Sequence, residues 1–296
     1  MLLIQAIVLG LLQGLTEFLP VSSSGHLQGV PYLLGWSSGS LTFDVLVHTG
    51  TLLAVLVYFR GDLAFLATRA TGLGGDHPPE ERRQAWRVIG LLAIGSVPAA
   101  VAGLLFEDVF AAAFRSIRVV SGFLLLTALL LWFAERLRTR RAADELRKDV
   151  RDLDEQERRR DPGRREDTIT LKDAGTIGVA QALAIFPGIS RSGATIAAGM
   201  YLGLSRAAAA RFSFLLSIPV IVGATVFKLP DFGTVEPGSL PFEPVHHLVG
   251  VAVAAVSGYL AITFLLKLVQ RETLLGFARY VVVFAVLLFA ATFWIG

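Results

Sequence analysis

The stretch Gln13-Gly-Leu-Thr-Glu17-Phe-Leu-Pro20-Val-Ser22-Ser23-Ser24-Gly25-His26 decides how the chain is read. It opens inside a long apolar run, where a carboxylate is costly and a proline breaks a helix. Yet Glu17, a Pro20-Val21 break, three hydroxyls and His26 follow one another within ten residues. Pro20 ends one helical segment, and Ser22 or Ser23 is suited to cap another, whose free N–H groups then point outward. Such an end attracts anions, most strongly where water does not compete. The same design returns at Gln181-Ala-Leu-Ala-Ile-Phe186-Pro187-Gly188-Ile189-Ser190-Arg191-Ser192-Gly193-Ala-Thr195. Moved back by 168 positions, Gln181, Leu183, Phe186, Ser190, Ser192 and Gly193 fall on Gln13, Leu15, Phe18, Ser22, Ser24 and Gly25. The chain therefore reads as two related halves, each with a broken polar helix.

The surroundings of these motifs are lipid-like. Of 296 residues, 54% are hydrophobic and only 17% charged, with a mean hydropathy of +0.62. Soluble domains carry roughly 25% charge, and many windows here are apolar over about 20 residues, enough to cross a bilayer. The apolar runs lack the alternation of a membrane β-barrel. An all-α integral membrane protein is expected. The N-terminus lacks the basic start and small-residue cleavage site of a signal peptide. The absence of cysteine excludes disulfides, thiol catalysis and zinc–thiolate sites. The basic balance, with a pI near 9.4, is concentrated in loops and reads as membrane topology rather than nucleic-acid binding.

Outward from the two motifs, residues 2–34 and 172–203 are expected as re-entrant helix pairs, since irregular backbone at membrane depth needs protein or a wet cavity around it. Full spans are expected at about 41–59, 86–106, 117–136, 208–228, 246–269 and 274–295, with a polar loop over 60–85. The segment 137–171 mixes Arg/Lys with acids at helical spacing. It reads as a solvated, partly helical linker, with anionic lipid headgroups as the other candidate partner. Six spans place loops 60–85, 137–171 and 270–273 on one side, with Arg60, Arg69, Arg82, Arg83, the linker and Arg271. The other side holds little beyond Arg115, Arg118 and Lys228. The basic side is then cytoplasmic, and the two re-entrant pairs enter from opposite faces, as in an inverted repeat whose tips meet near the midplane. One membrane domain, 1–296, is expected: repeat 1 over about 1–136, the cytoplasmic linker 137–171, and repeat 2 over about 172–296.

At that meeting point Arg191 is the most informative residue, because a guanidinium at membrane depth needs an anionic partner and forks well onto phosphate. That partner is either a phosphate or Glu17 in a structural ion pair. Glu17 is a candidate acid/base and metal ligand, or else a hydrogen-bonded buried acid. His26, three residues after Ser23, suits a Ser–His nucleophile and base, or serves as a polar residue of the helix start. Gln13, Ser22, Ser24, Ser190, Ser192 and Thr195 are candidate substrate-binding residues. Ser24 and Ser192 equally suit close helix approach, and Thr195 equally suits a bond back to its own helix. Asp44 and His48, one turn apart, line the cavity or form an interfacial pair, and the reading leans to the latter.

At these residues the sequence resembles the undecaprenyl-diphosphate phosphatase family, the bacterial membrane enzymes associated with bacitracin resistance. That family's signatures, (E/Q)-x-x-x-E followed by P-V-S-S-S/T-G-H, and P-G-x-S-R-S-x-x-T, stand here complete as Gln13 to Glu17, Pro20 to His26 and Pro187 to Thr195. The similarity extends over essentially the whole chain, including Phe212-Ser-Phe-Leu-Leu-Ser-Ile-Pro219. The resemblance implies hydrolysis of a polyprenyl diphosphate, chiefly the C55 carrier, to the monophosphate and inorganic phosphate. It implies a divalent cation, magnesium or calcium, and action from the outer side of the plasma membrane. By motif, Ser23, His26, Glu17 and Arg191 are the catalytic group, with Gln13, Ser190 and Thr195 in the site. Many members carry Glu where this chain has Gln13, so acid/base duty rests on Glu17 and His26. Expected partners are the polyprenyl diphosphate and membrane lipids, with a homodimer as a candidate assembly. Broken helices at a midplane are also transporter architecture, so a flippase or carrier of a phosphate-bearing lipid or anion is the alternative; a pure transporter has no use for a Ser–His pair beside its arginine.

Overall fold

The computed structural model describes residues 2–37, 41–73, 75, 77–148, 161, 163–228 and 243–295, main chain only at 41 and 141–148. Among them are twelve α-helices. In chain order they are α1 (Leu2–Phe18), α2 (Ser23–Leu34), α3 (Leu41–Tyr58), α4 (Arg60–Thr71), α5 (Pro79–Leu105), α6 (Glu107–Phe114), α7 (Ile117–Lys148), α8 (Leu171–Leu183), α9 (Arg191–Tyr201), α10 (Arg206–Lys228), α11 (Pro244–Leu268) and α12 (Leu275–Ala291). Both expected breaks are present: α1 stops before Pro20 and α2 begins at Ser23, while α8 and α9 are separated by 184–190.

Four helices are long and apolar enough to cross a bilayer: Pro79–Leu105, Ile117–Arg140, Arg206–Phe227 and Pro244–Leu268. A fifth span is counted if α3 and α4 are taken as one bent element. Here the structure corrects the loop expected over 60–85. Arg60-Gly61-Asp62 does not end the helix but bends it by 72°, and α4 runs on across α5, burying Leu66 and Ala70 against Ala85. Arg211 of α10 holds the bend, ion-paired with Asp62 and stacked over Phe59. Of the expected linker over 137–171, residues 149–160 and 162 lie outside the described residues; its start continues α7 to Lys148, and its end is held on the bundle rather than solvated, Asp161 ion-paired with Arg138 and Arg164 with Asp173.

Close helix crossings position the two breaks. A Cβ on Gly10 of α1 would lie 2.6 Å from the Gly250 carbonyl oxygen of α11, and one on Gly178 of α8 would lie 2.5 Å from that of Gly95 in α5. Gly10 and Gly178 are themselves 168 positions apart, so the helix before each break presses its backbone onto a long apolar helix through glycines at matching positions of the two motifs. Without a hydrophobic drive between helices in lipid, such contact is a main source of packing energy. α12 lies along α7, and α3 packs against both α10 and α11. A buried ion pair closes the end of the bundle near the linker: Arg206 donates to both carboxylate oxygens of Glu135, at 2.7 and 3.0 Å. The Leu274 amide donates to the same carboxylate, joining α7, α10 and the start of α12.

Candidate active site

The first turn of α2 is built by Ser22 and that of α9 by Ser190, with the same hydrogen bond in each. Ser22 Oγ accepts from the Gly25 amide and Ser190 Oγ from the Gly193 amide, each satisfying one free donor of its helix. The two breaks are also latched together. The Gly188 amide donates to Ser24 Oγ at 3.3 Å, and Ser192 Oγ donates to the Leu19 carbonyl at 3.0 Å. Ser24 and Ser192 thus join one tip to the other in this structure. Thr127 of α7 steadies the second tip, donating to the Gly188 carbonyl and accepting from the Ser190 amide.

The backbone reverses differently in the two tips. Gly188 takes the positive φ of the second, +96°. Its counterpart in the first is Pro20, whose ring excludes positive φ. The left-handed residue there is Ser22, at φ +73°, the one non-glycine with positive φ among the described residues. Such a backbone costs of order 1–3 kcal/mol and collects at functional sites.

What the strain aims is Ser23, the first residue of α2. Its hydroxyl donates to Glu17 Oε2 at 2.7 Å, and Gln13 Nε2 donates to the same oxygen at 3.1 Å. The other oxygen, Oε1, takes the guanidinium of Arg191, the first residue of α9, at 2.8 Å. Arg191 also donates to the Ser213 carbonyl of α10, and Thr195 bonds back to the Arg191 carbonyl and to Ser213 Oγ. Glu17 is thus the hub of a buried cluster, with one carboxylate holding a hydroxyl from one half and a cation from the other.

The expected Ser23–His26 pair does not form. His26 shares the helix but turns away, and both ring nitrogens are engaged elsewhere: Nδ1 with the Ser22 carbonyl and Nε2 with the Tyr280 hydroxyl, each at 2.7 Å. Its ring stacks on Phe284 at 4.2 Å between centroids. In its place near the carboxylate stands His48, whose Nε2 lies 3.9 Å from Glu17 Oε2 and whose side chain is 36% exposed. His48 therefore stands at the cluster, as the cavity-lining reading expects, while its Nδ1 bonds the Asp44 carbonyl one turn back at 2.7 Å. Ser213, Tyr280, Thr127 and Phe284 carry no motif of their own and could not be singled out, although Ser213 lies in the Phe212–Pro219 stretch.

Two buried acceptors in α1 bear on a cation. Gln13 Oε1 is buried and has no hydrogen-bond partner, and Glu17 lies one turn away. Hard oxygens of this kind suit Mg²⁺ or Ca²⁺, which are commonly completed by phosphate oxygens. Among the described residues no cluster of three His, Asp or Glu side chains is preformed for a metal.

The fold and the site define a polytopic helical membrane protein with a buried hydroxyl–carboxylate–guanidinium centre, assembled from two broken helices. Residues 6–287 match the family model described as bacitracin resistance protein BacA. The chain belongs to that family. Among its relatives, it is 43% identical to the undecaprenyl-diphosphatase of Geobacter metallireducens, with 94% of this chain and 93% of the relative aligned. It is 40% identical to that of Moorella thermoacetica over 100% and 99% of the two chains. It is 44% identical to undecaprenyl-diphosphatase 2 of Stutzerimonas stutzeri over 94% of each.

Proposed function

We propose that this protein hydrolyses undecaprenyl diphosphate to the monophosphate and inorganic phosphate, returning the lipid carrier to cell-wall synthesis and conferring resistance to bacitracin. Family membership supports the substrate. One observation carries the mechanism: a serine hydroxyl and an arginine share the two oxygens of one buried carboxylate. Ser23 Oγ attacks the terminal phosphorus while Glu17 takes its proton. The bond from phosphorus to the bridging oxygen breaks, and the lipid monophosphate leaves. Arg191 and the N-termini of α2 and α9 stabilise charge on the transferring group. Glu17 loses that proton toward solvent, on the side where the partly exposed His48 stands 3.9 Å away, and then accepts one from the water that attacks the phosphoserine. The bond from phosphorus to Ser23 Oγ breaks, inorganic phosphate leaves, and Glu17 returns the proton to Ser23 Oγ. Gln13 Oε1 and Glu17 would hold a divalent cation, which neutralises phosphate charge when bound. The prenyl tail lies among the apolar helix faces.

The wider placement belongs to the same proposal. The two halves form an inverted repeat of six spans and two re-entrant pairs, with α3 and α12 completing the set. The matched glycine crossings and reciprocal tip hydrogen bonds support this. The loop charge bias favours the bacterial inner membrane with the site open to the outer side. Transport of a phosphate-bearing lipid is not favoured, since a carrier needs no hydroxyl on its carboxylate.

Phosphate release from a polyprenyl diphosphate by purified protein in detergent tests the reading, with Ser23→Ala and Arg191→Ala alongside and with chelator added. Turnover by wild type and a loss on the order of 10³-fold in both variants are expected. A wild type that releases no phosphate with either cation contradicts it.

A further inference from the structure

His26 comes from the first tip and Tyr280 from α12, and they meet on the face of α2 turned away from Glu17. The Ser22 carbonyl can only accept, so His26 Nδ1 carries a proton and donates to it. In the neutral ring, Nε2 then accepts from the Tyr280 hydroxyl. His26 is buried and stacked flat on Phe284, so its ring has no freedom to turn toward Ser23. The His26 amide adds a second donor to the same Ser22 carbonyl, at 3.3 Å. Ser22 is the residue held at φ +73°, and its neighbour Ser23 is the hydroxyl on Glu17.

We propose that His26 and Tyr280 are positioning residues: the Tyr280 hydroxyl fixes the His26 ring, which clamps the Ser22 carbonyl and holds its left-handed backbone, keeping Ser23 Oγ aimed at Glu17. His26 acts through Ser22 and transfers no proton to substrate. This rests on Ser23 being the nucleophile of the hydrolysis proposed above. It also gives α12 a task in catalysis although it contributes no residue to the Glu17 cluster. Tyr280 lines, with His26, a cavity of about 730 Å³ between α1, α11 and α12, so the clamp is reached from the side opposite the reacting carboxylate.

The test is rescue. An asparagine amide reaches the place of Nδ1 but has no basic nitrogen, whereas glutamine reaches only the place of Nε2. His26→Ala and His26→Gln are expected to lower kcat by about 100-fold or more, while His26→Asn stays within about tenfold of wild type. Tyr280→Phe is expected to lower kcat several-fold with KM unchanged. In the His26→Asn background, where no ring needs fixing, the same change is expected to do nothing, a non-additivity that marks one pathway. A folded His26→Asn as inactive as His26→Ala makes His26 a proton-transfer group or nucleophile and overturns the proposal. A Tyr280→Phe protein with unchanged kcat also overturns it, and this arm stands even if His26→Asn folds poorly; where His26→Asn folds, an equal loss in both backgrounds overturns it too. Wild type without turnover instead means that the hydrolysis reading has failed.

Discussion

Glu17 accepts from Gln13, Ser23 and Arg191 and has His48 within 3.9 Å, so it is the residue whose chemistry is easiest to isolate. Glu17→Gln keeps the shape and removes the proton acceptor. A fall in kcat of about 10²–10⁴-fold is expected, read by phosphate release at saturating substrate. Gln13→Glu tests the neighbouring position differently. It replaces an N–H···O bond of 3.1 Å with two facing carboxylates, which repel unless a cation or proton lies between them. Activity in Gln13→Glu is expected to depend more steeply on divalent cation than in wild type, measured as an activation curve. Glu17, Ser23 and Arg191 could be read from the sequence because polar groups in an apolar run stand out. The facing of His26 could not. Its spacing of three from Ser23 predicts one helix face, but Ser23 opens the helix and reaches back to α1, while His26 reaches across to α12. Spacing along one helix carries no information about which neighbour each residue meets. Ser213 and Tyr280 were hidden for the same reason, each being brought in by a different helix, and His48 could be named as a cavity-lining candidate but not assigned to Glu17.

At the scale of elements, the tips depend on backbone more than on side chains. A Cβ at Gly188 would lie 2.4 Å from the Val120 carbonyl oxygen, on a backbone at φ +96°. Gly188→Ala is expected to destabilise the protein by more than about 1 kcal/mol, seen as a lower unfolding temperature together with lost activity. The start of α8 carries a capping box, Thr170 with Asp173, and Arg164 donates to Asp173 at 2.6 Å. Burial pushes the Asp173 carboxyl up, but the hydrogen bonds from Arg164 and Thr170 outweigh it and hold the carboxyl below the usual aspartate range. A lowered folded-state value means a stabilisation that is whole above the ordinary aspartate pKa and is lost as pH falls through the lowered one. The gap in unfolding temperature between wild type and Asp173→Asn is therefore expected to close below roughly pH 4. The helix breaks were legible because Pro20, Pro187 and the serines are local signals. The α3–α4 bend was not, since Arg60-Gly61-Asp62 carries the marks of a helix end and only Arg211, far along the chain, turns it into a corner.

Across the whole molecule, the two broken helices bring different groups to one carboxylate from positions that match under the 168-residue offset. Ser23 of α2 and Arg191 of α9 are 168 apart, as are Glu17 and Ile185. One tip supplies the Ser23 hydroxyl and the Glu17 carboxylate, and the other supplies the Arg191 cation from the matching first helical residue. The matching motifs were readable from the offset, whereas the different groups they bring show only where both tips reach one carboxylate. The proposed topology is directly testable because the chain has no cysteine. Single cysteines at the exposed Arg83 and Arg115 are expected to react with an impermeant maleimide only after permeabilisation at the first and in intact cells at the second. The most direct measurement is capture of the phosphorylated intermediate by rapid quench with substrate labelled in the terminal phosphate. Label on the peptide carrying Ser22 to Ser24, lost in Ser23→Ala and kept in Ser22→Ala and Ser24→Ala, is expected; label on His26, or turnover by Ser23→Ala, would contradict a serine nucleophile activated by Glu17.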